Sequence, residues 1–160
     1  MRDLNITHCI DLSKEEPVYT TDILYTRLFG KGSHTIYQFD DEELKSIDEK
    51  TAKGDHKKAV LSFHGVKMYK DAARLKIYRQ TGEFPAVTNS IGLESLIEVL
   101  REDAVFPITK EELIQRQGWK VIDLSSTQRI HAHRILERLP QGKYSTLNEV
   151  ITQLDTPPHS

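Results

Sequence analysis

DILYTRLFG (Asp22–Gly30) and KAVLSFHG (Lys58–Gly65) decide how this chain is read. Each is a short run rich in β-branched and aromatic residues. Each carries a basic or titratable side chain near its end, Arg27 in one and His64 in the other, and then a glycine, Gly30 or Gly65. Each is followed within about a dozen residues by a stretch of helical pattern. The construction is strand, loop, helix, used twice. In α/β proteins ligands sit at the carboxyl ends of such strands, so the residues at those ends are the first candidates for a site.

Working outward, NITHCIDL (Asn5–Leu12) reads as a preceding strand, and Ser13–Thr21 as a loop with a helical start. Asp40–Lys53 reads as a helix. Asp40 or Asp41 caps it, Glu42 and Glu43 suit its positive end, and Leu44 and Ile47 give an inward stripe. Gly54 closes it. Val66–Gln80 is the next helix, with Gly82 as its stop. Pro85, inside EFPAVTNS (Glu83–Ser90), ends this pattern.

Beyond that boundary the pattern predicts mostly helix. One helix is capped by Ser90. A second starts at Thr109 with a Thr109–Glu112 capping box and ends at Gly118. A third runs over Ser126–Leu139, and a fourth, capped by Ser145, over Ser145–Leu154. Trp119–Ile122 reads as a brief strand, and the TPPHS tail as loose. The expected organisation is thus α/β over residues 1–85, a short parallel βα segment, and a small, mainly helical region over 90–155.

Composition narrows the function classes. The chain has 160 residues, 38% hydrophobic and 29% charged, with a formal charge of −2. These values suit a soluble globular chain, and no apolar run is long enough to span a bilayer. There is no global basic field of the kind that announces nucleic acid. Cys9 is the single cysteine, so no intrachain disulfide forms, and a cytoplasmic location is the simplest reading.

With the strands placed, YTRLFGKG (25–32), YQFDDEELKSI (37–47) and AVLSFHGVKMYKDAARLKIY (59–78) resemble the last part of the YecE-like family, a domain of unknown function. The family's aromatic–x–Arg–Leu–x–Gly strand falls on Tyr25, Arg27, Leu28 and Gly30. Its following Tyr and acidic helix start fall on Tyr37 and Asp41-Glu42-Glu43-Leu44. Its last strand falls on Val60–His64, and its Met–x–x–Asp-Ala helix on Met68, Asp71 and Ala72. The resemblance covers Leu4–Gly82 and implies a TIM-barrel-like fold. A whole (β/α)₈ barrel takes about 250 residues, so this chain has room for its final three strands only. The resemblance therefore implies a partial barrel whose missing strands come from elsewhere. The helical region has no counterpart in the family.

The candidate ligand-binding residues are Arg27, Gly30, Lys31, Gly32, His64 and Gly65. A guanidinium is a permanent charge with a planar fork of donors suited to phosphate or carboxylate. The GKGS loop after it offers glycine amides and the Lys31 charge, and barrels bind phosphate at the loops after their last strands. The string is not a P-loop, because the spacing before Gly-Lys is absent. The bland alternative pairs Arg27 with a carboxylate such as Asp40. His64 is a general acid–base candidate because it is an imidazole, with a hydrogen-bonded structural histidine as the alternative. Lys67 and Asp71, four apart, read as a pair across one helical turn. No catalytic residue is assigned, and whether the chain is an enzyme stays open.

No metal site or cofactor is expected. His131 and His133, two apart on a helix, point about 200° apart, and zinc has no second cysteine. The partners expected are a phosphate-containing small molecule and a second copy, or a separate chain supplying the missing strands, since an open parallel sheet leaves edges unpaired. No membrane partner is expected. The alternative function is a protein or nucleic-acid interaction module in the helical region. There Arg129, His131, His133, Arg134 and Arg138 would line one basic helix, with Lys120 and Lys143 beside it.

Overall fold

Ile23-Leu24-Tyr25-Thr26-Arg27-Leu28 alternates outward and inward residue by residue, as a strand with one buried face must. This is β1 (Ile23–Leu28). In the computed structural model, which describes residues 6–33 and 35–156, it pairs in parallel with β2 (Lys58–Phe63). The register sets Ile23 beside Lys58, Tyr25 beside Val60 and Arg27 beside Ser62. The expected strand before β1 is reduced to a single parallel bridge, Ile10 to Thr26. Its ladder is interrupted chemically: the Thr26 hydroxyl donates to the Ile10 carbonyl at 2.8 Å and accepts from the Leu12 amide at 3.2 Å. Asp11 then turns the chain by accepting from the Ser13 amide and hydroxyl. The start of that expected strand, at Asn5, lies outside the described residues.

Between the strands runs α1 (Asp41–Ala52). Asp40 is its N-cap, in a capping box with Glu43, and three acidic residues fill its first turn. Helix α2 (Met68–Thr81) follows β2 and stops on Gly82, whose φ of +82° is the left-handed conformation of a helix C-cap. Leu44 and Ile47 from α1 and Leu75 from α2 join Ile10, Leu12, Leu24, Leu28 and Phe39 in one core, with Ala59, Leu61 and Phe63 of β2 packed on it. Burying each such leucine is worth about 2–3 kcal/mol. The other face of the strand pair presents Ile23, Tyr25, Arg27 and Val60 outward. Asp71 does not pair with Lys67 across a turn. It is buried, accepts from the Phe39 amide at 3.1 Å, and pairs with Arg74 at 3.2 Å.

The chain divides into two compact units, Met1–Pro85 and Ala86–Ser160. The second holds α3 (Leu93–Arg101), β3 (Ile108–Thr109), α4 (Lys110–Gln117), β4 (Val121–Asp123), β5 (Arg129–His131), α5 (His133–Leu136), β6 (Lys143–Tyr144) and α6 (Leu147–Asp155). Its core is Leu96, Leu100, Ile108, Leu113, Ile122, Leu136 and Val150 with their neighbours. The Thr109–Glu112 capping box starts α4 as its sequence indicates.

Three expectations for this unit are corrected. The helix over Ser126–Leu139 is instead a hairpin followed by one short helix. β4 and β5 pair antiparallel, closed by the Leu124 and Ser125 amides on the Gln128 carbonyl, and only His133–Leu136 is helical. The Arg129–Asp123 pair at 3.1 Å locks that hairpin. Ser90 does not cap α3; Gly92, at φ +64°, does. Thr146 rather than Ser145 caps α6, accepting from the Glu149 amide at 3.2 Å. The unit is thus a mixture of helices and two small antiparallel pairs, β3–β6 and β4–β5. The end of the TPPHS tail lies outside the described residues. Among the described residues, no helix is long and apolar enough to cross a membrane.

Candidate functional site

The parallel pairing of β1 and β2 brings Arg27 and His64 to the same end of the same sheet face. Arg27 stands opposite Ser62, and His64 follows two residues later, so alternation returns it to that face. The Arg27 Nε–H donates to His64 Nε2 at 3.2 Å, and Ser62 Oγ lies 3.0 Å from the same nitrogen. A ring nitrogen that accepts from Nε–H carries no proton, which puts the proton of the neutral imidazole on Nδ1. Phe29 stacks on the imidazole with centroids 4.9 Å apart, and the Arg27 guanidinium carbon lies 5.2 Å from the Phe29 centroid. The cation is therefore held by a hydrogen bond and by an aromatic face.

Arg27 has no ion pair among the described residues. Asp40, the carboxylate of the bland alternative, is the N-cap of α1, accepting from the Glu43 amide at 2.9 Å. Asp11, at the end of the Ile10 segment, accepts from the Phe29 amide at 3.0 Å and so fixes the backbone that carries the stacked ring.

The rest of the expected site is arranged differently. Lys31 lies 3.0 Å from Glu43 Oε1, which also accepts from the Tyr37 hydroxyl at 2.5 Å. Burial and the Glu43 charge push the Tyr37 hydroxyl up, so it stays protonated as the donor. The Lys31 charge is thus already matched. Gly30, at φ +74°, has the Tyr37 ring against it: a Cβ there would fall 2.2 Å from a ring carbon. A Cβ on Gly32 would fall 2.2 Å from the Ile36 carbonyl. These two glycines serve the packing of their own loop. The loops after β1 and β2 do meet: the Val66 amide donates to the Thr35 carbonyl at 3.2 Å, and Gly65 lies against the Tyr37 and Thr35 carbonyls.

A cavity of about 570 Å³ opens at the opposite, amino ends of the strands, lined among others by Asp22, Leu24, Lys53 and His56. It contains none of the residues singled out from the sequence. Size alone does not make it the site. Of its charged lining residues, Lys50 donates to the Leu12 carbonyl and Asp22 is paired with Lys57, while Lys53 is exposed.

The basic residues of the second unit do not form one helix face. Arg129 is 7% exposed and paired with Asp123. Lys120 is buried, bonded to the Val99 carbonyl at 2.7 Å and to Asp103 at 2.5 Å. His131 is buried at the end of β5, and its ring stacks on that of His133 with centroids 5.7 Å apart, since the two are not on a common helix. Charges spent on internal partners contribute little to a phosphate-binding field.

Sequence reasoning passed over Ser62, Phe29 and Asp11. The signal for Ser62 was present, because a residue two before His64 on a strand shares its face. No family model, curated protein or solved structure matches this chain.

Proposed function

We propose that this chain binds a small phosphate- or carboxylate-bearing molecule at the carboxyl ends of β1 and β2, with Arg27 as the anion ligand and Ser62 and His64 beside it. One observation carries the reading: a guanidinium without a counter-charge among the described residues, oriented through its Nε by His64. That orientation leaves the two Nη groups to form a bidentate contact with an oxyanion. The parallel strand–helix–strand–helix order also supports it, because such units place ligands at this end of the sheet. The same order is what a TIM-barrel-like segment of the YecE-like type requires. Titration of the full chain with inorganic phosphate, followed by calorimetry, tests the proposal. Saturable binding that disappears in Arg27→Ala supports it, and binding that is the same in that variant overturns it.

A second reading concerns assembly. Among the described residues β2 has a strand neighbour on one side only, so its outer edge is a template for another chain. A second copy, or a chain carrying further strands, would pair there. Sedimentation velocity at low micromolar concentration reads this directly. A strictly monomeric species at every concentration, with no strand-bearing chain co-purifying, overturns it.

A further inference from the structure

The face that carries Arg27 has an apolar pair, Tyr25 and Val60, directly below it, and Ile23 with the exposed Lys58 one step further. Ile23, Tyr25 and Val60 are 44%, 36% and 41% exposed, and the register sets Tyr25 directly beside Val60, one step along the face from Arg27 and Ser62. Residues two apart on one strand face lie about 7 Å apart, so the aromatic ring and the guanidinium are within the span of one small molecule. The Phe29–His64 stack stands at the far end of the same row. Parallel sheets ordinarily have both faces covered, and contiguous exposed apolar side chains mark a contact surface. Here the surface runs directly into a cation without a counter-charge among the described residues. That combination specifies its occupant: one end anionic, the other flat and apolar.

The geometry points to an anion with an aryl or comparably flat apolar body as the ligand class of this site, its phosphate or carboxylate on Arg27 and its body along Tyr25 and Val60. This rests on the anion-binding reading above and adds the specificity element. Tyr25 and Val60 make no bond to the anion and discriminate only through the body. A ligand stacked on an exposed tyrosine buries apolar area on both partners and gains in proportion.

The test compares inorganic phosphate with phenyl phosphate on the full chain by calorimetry, in wild type, Arg27→Ala and the double variant Tyr25→Thr, Val60→Thr. Threonine keeps the β-propensity of both positions, and circular dichroism confirms the fold. The expected result is phenyl phosphate binding about tenfold tighter than phosphate in the wild type, the scale of one aromatic stack. The double variant should lose that preference while still binding phosphate, and Arg27→Ala should lose both ligands. Equal affinities in the wild type overturn this inference and leave the anion site standing. A preference that survives in the double variant also overturns it. Binding of neither ligand overturns the anion site as well. A dimer that the double variant converts to monomer assigns the face to a second copy and overturns the inference.

Discussion

Arg27 Nε and His64 Nε2 are 3.2 Å apart although the residues are separated by 37 positions in the chain. The bond fixes the guanidinium at its inner nitrogen and directs the fork outward. His64 Nε2 is the acceptor in this arrangement, and the Ser62 hydroxyl lies 3.0 Å from the same nitrogen. The pair is a positioned cation with an adjacent imidazole, which is a binding arrangement before it is a catalytic one.

Arg27→Lys is the sharpest variant of that arrangement. Lysine keeps the charge and loses the fork, so phosphate affinity should fall by about tenfold. Arg27 is exposed, and the folding free energy should change by no more than about 0.5 kcal/mol. Calorimetry reads the first and urea denaturation the second.

Gly30→Ala should destabilise the first unit without touching a charge. The residue sits at φ +74° and its Cβ would fall inside contact distance of the Tyr37 ring. Positive φ and overpacking together cost about 2–4 kcal/mol. Urea unfolding monitored by a probe in Met1–Pro85 should show the loss, while α6 in the second unit keeps its hydrogen-exchange protection.

Asp71 predicts a pH dependence. Burial pushes its carboxyl up to about 6 from an ordinary 3.8, against the opposing pull of the Phe39 amide and Arg74. A carboxyl with a raised folded-state value binds its proton more tightly in the folded chain. Its contribution to stability is therefore fully present below about 4 and is lost as pH rises to about 6. The stability difference between wild type and Asp71→Asn should shrink by about 3 kcal/mol across that span. Urea denaturation of both proteins at pH 4, 5, 6 and 7 measures it. A difference that grows with pH sinks the assignment.

Asp123 is the polar hinge of the second unit. Its carboxylate accepts from the Val87 and Thr88 amides, the Thr88 hydroxyl and Arg129. Asp123→Ala leaves the nearly buried Arg129 without its partner and two amides unsatisfied, a loss of about 3–5 kcal/mol. Denaturation of the full chain should show an early transition from Ala86–Ser160, and faster amide exchange in β4 and β5 locates it.

Local chemistry made the helices readable. Asp40 with Glu43, and Thr109 with Glu112, announce α1 and α4 because a capping box is satisfied within four residues and needs nothing distant. β1 is readable for a similar reason, since its alternation is written in consecutive residues. The hairpin in Ser126–Leu139 was not readable. Ile130, Ile135 and Leu136 fit a helical stripe, and only Asp123, reaching Arg129 across the turn, selects strand pairing there. Arg129 and Lys120 leave the expected basic stripe with it, because they take inward partners, while Arg134, Arg138 and Lys143 stay exposed. Residue type and position alone mark the candidates at the strand ends, Arg27 and His64. Tertiary structure alone decided that they touch, that Lys31 is matched by Glu43, and that Tyr25 and Val60 lie side by side on an open face. The first and the last of those relations depend on the register between strands 35 residues apart. Register is a property of packing: it is set by which faces the core buries, and no local pattern encodes it.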